Sequence, residues 1–161
     1  MVIEMNEFDL VNLLKLKKLH ISFAESCTGG MLAERIINVP SASNIINESY
    51  VTYSCDAKHR ILGVKYETIE KYNVVSTNVA EEMVEGLIKI SKADVGISVT
   101  GLAGPDDDYP ILAGTVCFGF YYMGKIESIL VRFENKDRNE VRKCATDYAF
   151  NYAYNLIKNN D

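Results

Sequence analysis

A chain of 161 residues that is 48% hydrophobic and 24% charged can bury one ordinary core without disulfides or metals. Its formal net charge of -5 argues against a nucleic-acid partner gripped by phosphate neutralisation, while leaving room for a small basic pocket that holds a single phosphate. Cys27, Cys55, Cys117 and Cys144 show no C-x-x-C spacing and there are only two histidines, a composition of reduced thiols with no metal centre and no metal cofactor.

The opening MVIEMNEFDL is acidic and carries no uninterrupted apolar run, so neither a signal peptide nor a membrane span is expected, and the expected location is the cytosol. Leu10, Leu13 and Leu14 recur at helical spacing and predict a helix over roughly 7–19, with Lys15, Lys17 and Lys18 near its negative end. His20 to Ala24 reads as a short buried strand that breaks at Glu25-Ser26-Cys27-Thr28-Gly29-Gly30. Met31 to Ile37 resumes as a helix, stopped by Pro40 and the Ser41–Asn44 stretch. A second strand is expected over about 48–54. A short helix from Asp56 to Leu62 follows, ended by Gly63 as its left-handed cap.

Ser76-Thr77-Asn78 opens a long helix to about Ile90, with Asn78 and Glu81 at capping-box spacing. Val95 to Thr100 is strand-like and leads into a loop, Gly101-Leu102-Ala103-Gly104-Pro105, whose continuation Asp106-Asp107-Asp108 suits a solvated tip. Gly114–Tyr122 and Lys125–Phe133 form a hairpin around Met123-Gly124, and Asp137 with Glu140 caps a last helix to about Lys158. Strands alternating with helices, plus one C-terminal hairpin, predict an α/β fold. Its layers are α/β/α, around a mixed, mostly parallel sheet, in a single domain over 1–161.

Four places carry chemistry-bearing residues. The turn Glu25 to Gly30 would expose Ser26 at the carboxyl end of a strand, beside backbone N–H groups suited to an oxyanion or a phosphate. The alternative is that Ser26 or Thr28 simply caps the next helix. Lys58 falls in the first turn of its helix, where the dipole disfavours a cation. Burial there would lower its pKa toward that of a useful base, whereas a solvated side chain would do nothing. Thr100-Gly101 and Gly104 suit a backbone that approaches a ligand, or an ordinary loop. Arg138 and Arg142, four apart on the last helix, suit a phosphate or an ion pair with Glu134 or Asp137. Cys27 at a helix start is a rival nucleophile, but no local pattern brings a histidine to it.

AESCTGG, VTYSCDAKHRILGV, VVSTNVAEEMVEG and VTGLAGP, in this order, resemble the carboxy-terminal domain of the CinA competence/damage-inducible family, across nearly the whole chain. The stand-alone form of that domain is a nicotinamide mononucleotide deamidase. The resemblance implies hydrolysis of the nucleotide's carboxamide without a cofactor. It makes Ser26 the nucleophile and Lys58 its base, and it places Cys27, Thr28, Gly29, Gly30, Tyr53, Thr100, Gly101 and Arg142 around the oxyanion or substrate, with Arg142 assigned to the phosphate. It also implies a homo-oligomer, expected as a dimer, with a small nucleotide as its other partner.

This chain departs from the family in carrying Cys55-Asp56 where Asn-Glu is usual. It also carries DDDYPILAGT where a glycine-rich loop normally ends in Lys-Pro-Val-Gly-Thr. A catalytically silent nucleotide- or partner-binding module, and an amidase for a different nucleotide amide, are therefore the competing readings.

Overall fold

The computed structural model describes residues 5–105 and 110–160, so the Asp106–Asp108 loop tip lies outside the described residues. Helix α1 (Glu7–Lys17) starts at a capping box in which the Asn6 and Asp9 side chains exchange bonds with each other's backbone N–H groups. Lys18 ends it in the left-handed conformation. Strand β1 (Ile21–Glu25) is buried throughout and leads through a turn to α2 (Met31–Ile37). After a 3-10 turn at Ala42–Asn44 come β2 (Tyr50–Val51), α3 (Cys55–Leu62), α4 (Tyr66–Tyr72) and α5 (Thr77–Ser91). Strands β3 (Val95–Leu102), β4 (Thr115–Tyr122) and β5 (Lys125–Arg132) precede the long α6 (Arg138–Asn159).

The sheet order is β2-β1-β3-β4-β5. β1 pairs parallel with both β2 and β3, whereas β4 is antiparallel to β3 and to β5. Four strands thus point one way and β4 alone runs against them, the mixed α/β sheet expected. The β4–β5 hairpin turns at Met123 and Gly124, both at positive φ, as a two-residue turn matched to the strand twist requires. On one face of the sheet Phe23, Ile97, Phe118 and Phe120 pack with Leu10 and Leu14 of α1, Leu32 and Ile36 of α2, and Ala149 and Phe150 of α6. On the other, Ala24 packs with Val79, Met83 and Leu87 of α5, with Leu62 at the end of α3 and with Val64 just after it.

Helix α5 lies very close to its neighbours because glycines let it. A Cβ on Gly119 of β4 would stand 2.5 Å from the Ala80 carbonyl oxygen, and one on Gly86 of α5 would stand 1.8 Å from that of Leu62. The second contact seats α3, the helix that carries Lys58, against α5.

Several boundaries differ from the sequence expectation. β2 shrinks to two residues because only Ala24 and Glu25 of β1 face it in register. The α5 cap is Ser76, whose hydroxyl accepts from the Val79 N–H, rather than Asn78. β3 runs on past Thr100 through Gly101 and Leu102, which pair with Val116 and Thr115 instead of forming a loop. Helix α4 was not foreseen; it is seven residues long and buries none of them completely, although Ile69 packs against the core beside α5.

Candidate active site

The turn after β1 is built for Ser26. The Gly29 N–H donates to the Ser26 carbonyl and the Met31 N–H to that of Thr28, while Gly29 and Gly30 take φ of 59° and 102°, a left-handed path that suits glycine. Neither Ser26 nor Thr28 caps α2. Gly30 stands at the cap position without a side-chain bond, and the buried Glu25 carboxylate accepts the Leu32 and Ala33 N–H groups at 2.9 and 3.2 Å. Ser26 is therefore left for other work. It is nearly buried, at 7% exposure.

Lys58 reaches it from α3. Ser54 caps that helix by accepting from the Ala57 N–H, and Gly63 ends it in the left-handed conformation. The Lys58 side chain turns inward rather than into water and is 1% exposed. Its Nζ stands 3.0 Å from Ser26 Oγ, 2.8 Å from the Thr52 carbonyl oxygen and 3.3 Å from that of Tyr53.

Burial away from water holds the amine below its ordinary value of 10.5, and no carboxylate among the described residues pairs with it to restore the charge. Nζ thus faces three oxygens; in the neutral form that burial favours, two N–H groups serve the two carbonyls and the lone pair is left for the Ser26 hydroxyl. Burial, by contrast, pushes the Cys27 thiol up to about 12, which disfavours the nucleophilic thiolate.

Ser26, Cys27, Tyr53, Cys55, Lys58, Thr100 and Gly101 line one cavity of about 470 Å³ at the carboxyl ends of β1, β2 and β3. β1 lies between β2 and β3, so the chain leaves it toward one neighbour and returns on the other side. Such switch points are where open α/β sheets bind ligands. Thr100 is locked by its hydroxyl, which donates to the Val74 carbonyl. Gly101 has no room for a side chain: a Cβ would stand 2.9 Å from Val116 Cγ2 and 3.1 Å from Cys27 Sγ.

Thr28, Gly29, Gly30 and Arg142 belong to the turn and its support and do not line the cavity. Arg142 Nε donates to the Cys27 carbonyl at 2.8 Å and Nη2 to that of Thr28 at 3.2 Å, instead of pairing with Glu134 or Asp137. The arginine that does line the cavity is Arg138, one turn earlier on α6. Its Nη2 donates to the Tyr53 hydroxyl at 3.1 Å, and its side chain lies across Gly104, where a Cβ would stand 2.9 Å from Nη1.

Sequence reasoning gave Glu25 no role. Its partners lie seven and eight residues ahead, beyond the three-residue spacing of a capping box, so no local signal points to it.

The chain resembles known proteins along nearly all of its length. The family described as "CinA C-terminal domain" matches residues 4–157. A CinA-like protein of Petrotoga mobilis is 43% identical over 155 residues, covering 94% of this chain and 38% of that protein. A CinA-like protein of Kosmotoga olearia is 41% identical over 145 residues, covering 89% of this chain and 35% of that one. The chain thus spans well under half the length of these relatives. Among solved structures, the CinA superfamily protein of Enterobacter cloacae superposes with a TM-score of 0.90 at 31% identity, over 98% of this chain and 95% of that one. The Escherichia coli protein ECK1530/EC0983 of the same superfamily gives 0.84 at 32% identity, over the same shares.

Proposed function

The chain belongs to the CinA C-terminal domain family, and from that premise we propose that it hydrolyses the carboxamide of nicotinamide mononucleotide to nicotinic acid mononucleotide and ammonia, with Ser26 as nucleophile and Lys58 as base. The observation that carries this reading is the buried 3.0 Å contact between Lys58 Nζ and Ser26 Oγ, beside two carbonyls that hold the amine's own hydrogens. An amine whose charged form is disfavoured by burial, and which is aimed at a hydroxyl, is the arrangement a Ser–Lys hydrolase needs.

In the reaction, Lys58 takes the Ser26 proton as Oγ bonds to the carboxamide carbon, and the carbonyl electrons move to oxygen. Backbone N–H groups beside Ser26 are the donors for that oxyanion; the Gly29 N–H, already given to the Ser26 carbonyl, is not among them. As the tetrahedral intermediate collapses, the C–N bond breaks and protonated Lys58 gives its proton to the departing nitrogen, which leaves as ammonia. Lys58, neutral again, deprotonates a water that attacks the ester; as the second tetrahedral intermediate collapses, the ester C–O bond breaks, Lys58 returns that proton to Ser26 Oγ, and the carboxylic acid product leaves.

Arg138 supplies a guanidinium at the cavity, steadied by Tyr53 and without a carboxylate partner among the described residues, which suits the nucleotide's phosphate. No helix among the described residues is long and apolar enough to cross a membrane.

The test is ammonia release from nicotinamide mononucleotide by wild type and by Ser26→Ala. Turnover that disappears in the variant supports both substrate and nucleophile. If wild type releases none, a panel of other nucleotide amides replaces this substrate. Binding without turnover of any of them would make the protein a binding module.

A further inference from the structure

The turn that carries Ser26 is held from two sides by buried or half-buried groups of opposite charge. Before Ser26, the Glu25 carboxylate is fixed to the start of α2 through the Leu32 and Ala33 N–H groups. After it, two consecutive carbonyls, Cys27 and Thr28, are taken by the Arg142 guanidinium from α6. The third nitrogen, Nη1, lies 3.3 Å from Asn139 Oδ1, so all three guanidinium nitrogens are engaged with the turn or with α6 itself. Gly29 makes the approach possible, since a Cβ there would stand 3.2 Å from Nη2.

We infer that Arg142 is a positioning residue, which grips the Cys27 and Thr28 carbonyls and so sets the orientation of the peptide groups beside the nucleophile. The inference rests on the reading of Ser26 as nucleophile, and not on the identity of the amide.

A trans peptide is planar, with its N–H opposite its C=O. When the Cys27 carbonyl points at Arg142, the Thr28 N–H on the far edge of the same plane points away from α6. A cation on the carbonyl side also polarises the peptide and strengthens that N–H as a donor. Two neighbouring carbonyls at one guanidinium require a rigid planar fork, which lysine lacks. Glu25 fixes the other end of the turn, so Ser26 has little freedom to follow if the grip fails. Arg142 therefore acts on the rate of the chemical step. Arg138, at the cavity, acts on binding.

The test uses the whole chain with Arg142→Lys and Arg142→Gln, and two readouts. The first is the rate at which a fluorophosphonate labels Ser26, which needs an activated serine and ordered donors but no recognition of a nucleotide. The second is kcat and KM for nicotinamide mononucleotide. Loss of one oxyanion donor sets the scale, so labelling and kcat should fall about tenfold to a hundredfold in Arg142→Lys, with KM changing by less than about threefold.

A higher KM with labelling and kcat at wild-type levels would overturn the inference and make Arg142 a phosphate ligand. Unchanged labelling, kcat and KM would overturn it too. If Arg142→Gln does not fold, Arg142→Lys, which keeps the charge and one carbonyl contact, decides the matter alone. Wild type that labels at Ser26 yet releases no ammonia would remove the substrate reading while the labelling comparison still judges Arg142. Wild type that does not label at all would remove the nucleophile, and this inference with it.

Discussion

Lys58 and Ser26 stand 32 positions apart in the chain, yet their side chains meet in a buried contact of 3.0 Å. The meeting follows from parallel pairing. β1 and β2 run side by side in the same direction, so the turn after one and the helix after the other open at the same end of the sheet. Lys58 thereby loses water without gaining a counter-charge from the described residues.

That loss has a sign in stability. The folded protein holds the Lys58 amine below 10.5 because burial disfavours its charged form, whereas the unfolded chain keeps the ordinary value. Between the lowered folded value and 10.5, the unfolded state binds more protons than the folded one, so the Lys58 contribution to stability rises with pH across that window. Below it, folding must either bury the ammonium or release its proton. Chemical denaturation at a series of pH values should show this rise in wild type and a flatter profile in Lys58→Met. On the catalytic side, kcat/KM should climb with pH as the amine loses its proton. Lys58→Arg, which cannot lose one in this range, should be inactive.

Cys27 lines the same cavity but should take no part in the chemistry. Its thiol is neutral far above physiological pH. Cys27→Ala is expected to keep activity within about tenfold of wild type and to lose about 1 kcal/mol of stability from the small void left. Brief iodoacetamide treatment followed by peptide mapping should find the half-buried Cys55 modified ahead of Cys27. An inactive Cys27→Ala of normal stability would return Cys27 to candidacy as nucleophile.

Gly101→Ala should be costly for a protein of this size. The new methyl meets Val116 Cγ2 at 2.9 Å, the Thr115 carbonyl oxygen at 3.0 Å and Cys27 Sγ at 3.1 Å. Overpacking of this kind costs about 1–3 kcal/mol. Because Cys27 follows Ser26 directly, kcat should fall along with the melting temperature. Gly86→Ala makes a useful contrast: it strikes the Leu62 carbonyl at the end of α3 and should disturb the base rather than the nucleophile.

Arg138→Ala should raise KM for nicotinamide mononucleotide about tenfold to a hundredfold, the value of a charge-assisted hydrogen bond, with a smaller change in kcat. The effect on the corresponding riboside, which lacks the phosphate, should be much weaker. Equal losses on both substrates would mean that Arg138 serves the cavity through Tyr53 rather than through phosphate.

What the sequence made legible was local. The Asp137–Glu140 capping box, the Met123-Gly124 turn and the two strand-to-helix turns bearing Ser26 and Lys58 each depend on neighbours a few residues away. A lysine at the first turn of a helix was legible for a different reason, since it contradicts the dipole and so called for another explanation.

What stayed hidden was side-chain contact over long separations. Arg138 meets Tyr53 across 85 residues, and Arg142 meets the Cys27 carbonyl across 115. A carbonyl acceptor leaves no mark in the sequence, because every residue has one. Hence spacing alone offered both arginines as phosphate ligands and the family resemblance singled out Arg142, while the structure puts Arg138 at the cavity and Arg142 on the turn. Gly101 was read as loop for a related reason: in a strand, glycine records the close approach of a neighbour, and that neighbour, Cys27, lies in another strand's turn.

The pairing of β1 with β3 brings Ile21 beside Val95, and α6 then closes over both. During folding, β1 has to wait for a partner made much later in the chain, and the loop between them must close before any contact rewards it. A fragment ending after α5 would hold both Ser26 and Lys58 but lack the β3 wall of the cavity and the α6 arginine that grips the nucleophile turn. The proposed activity would thus belong to the finished fold, and its recovery on refolding should trail the return of helix signal, reporting the moment when the sheet's centre is joined.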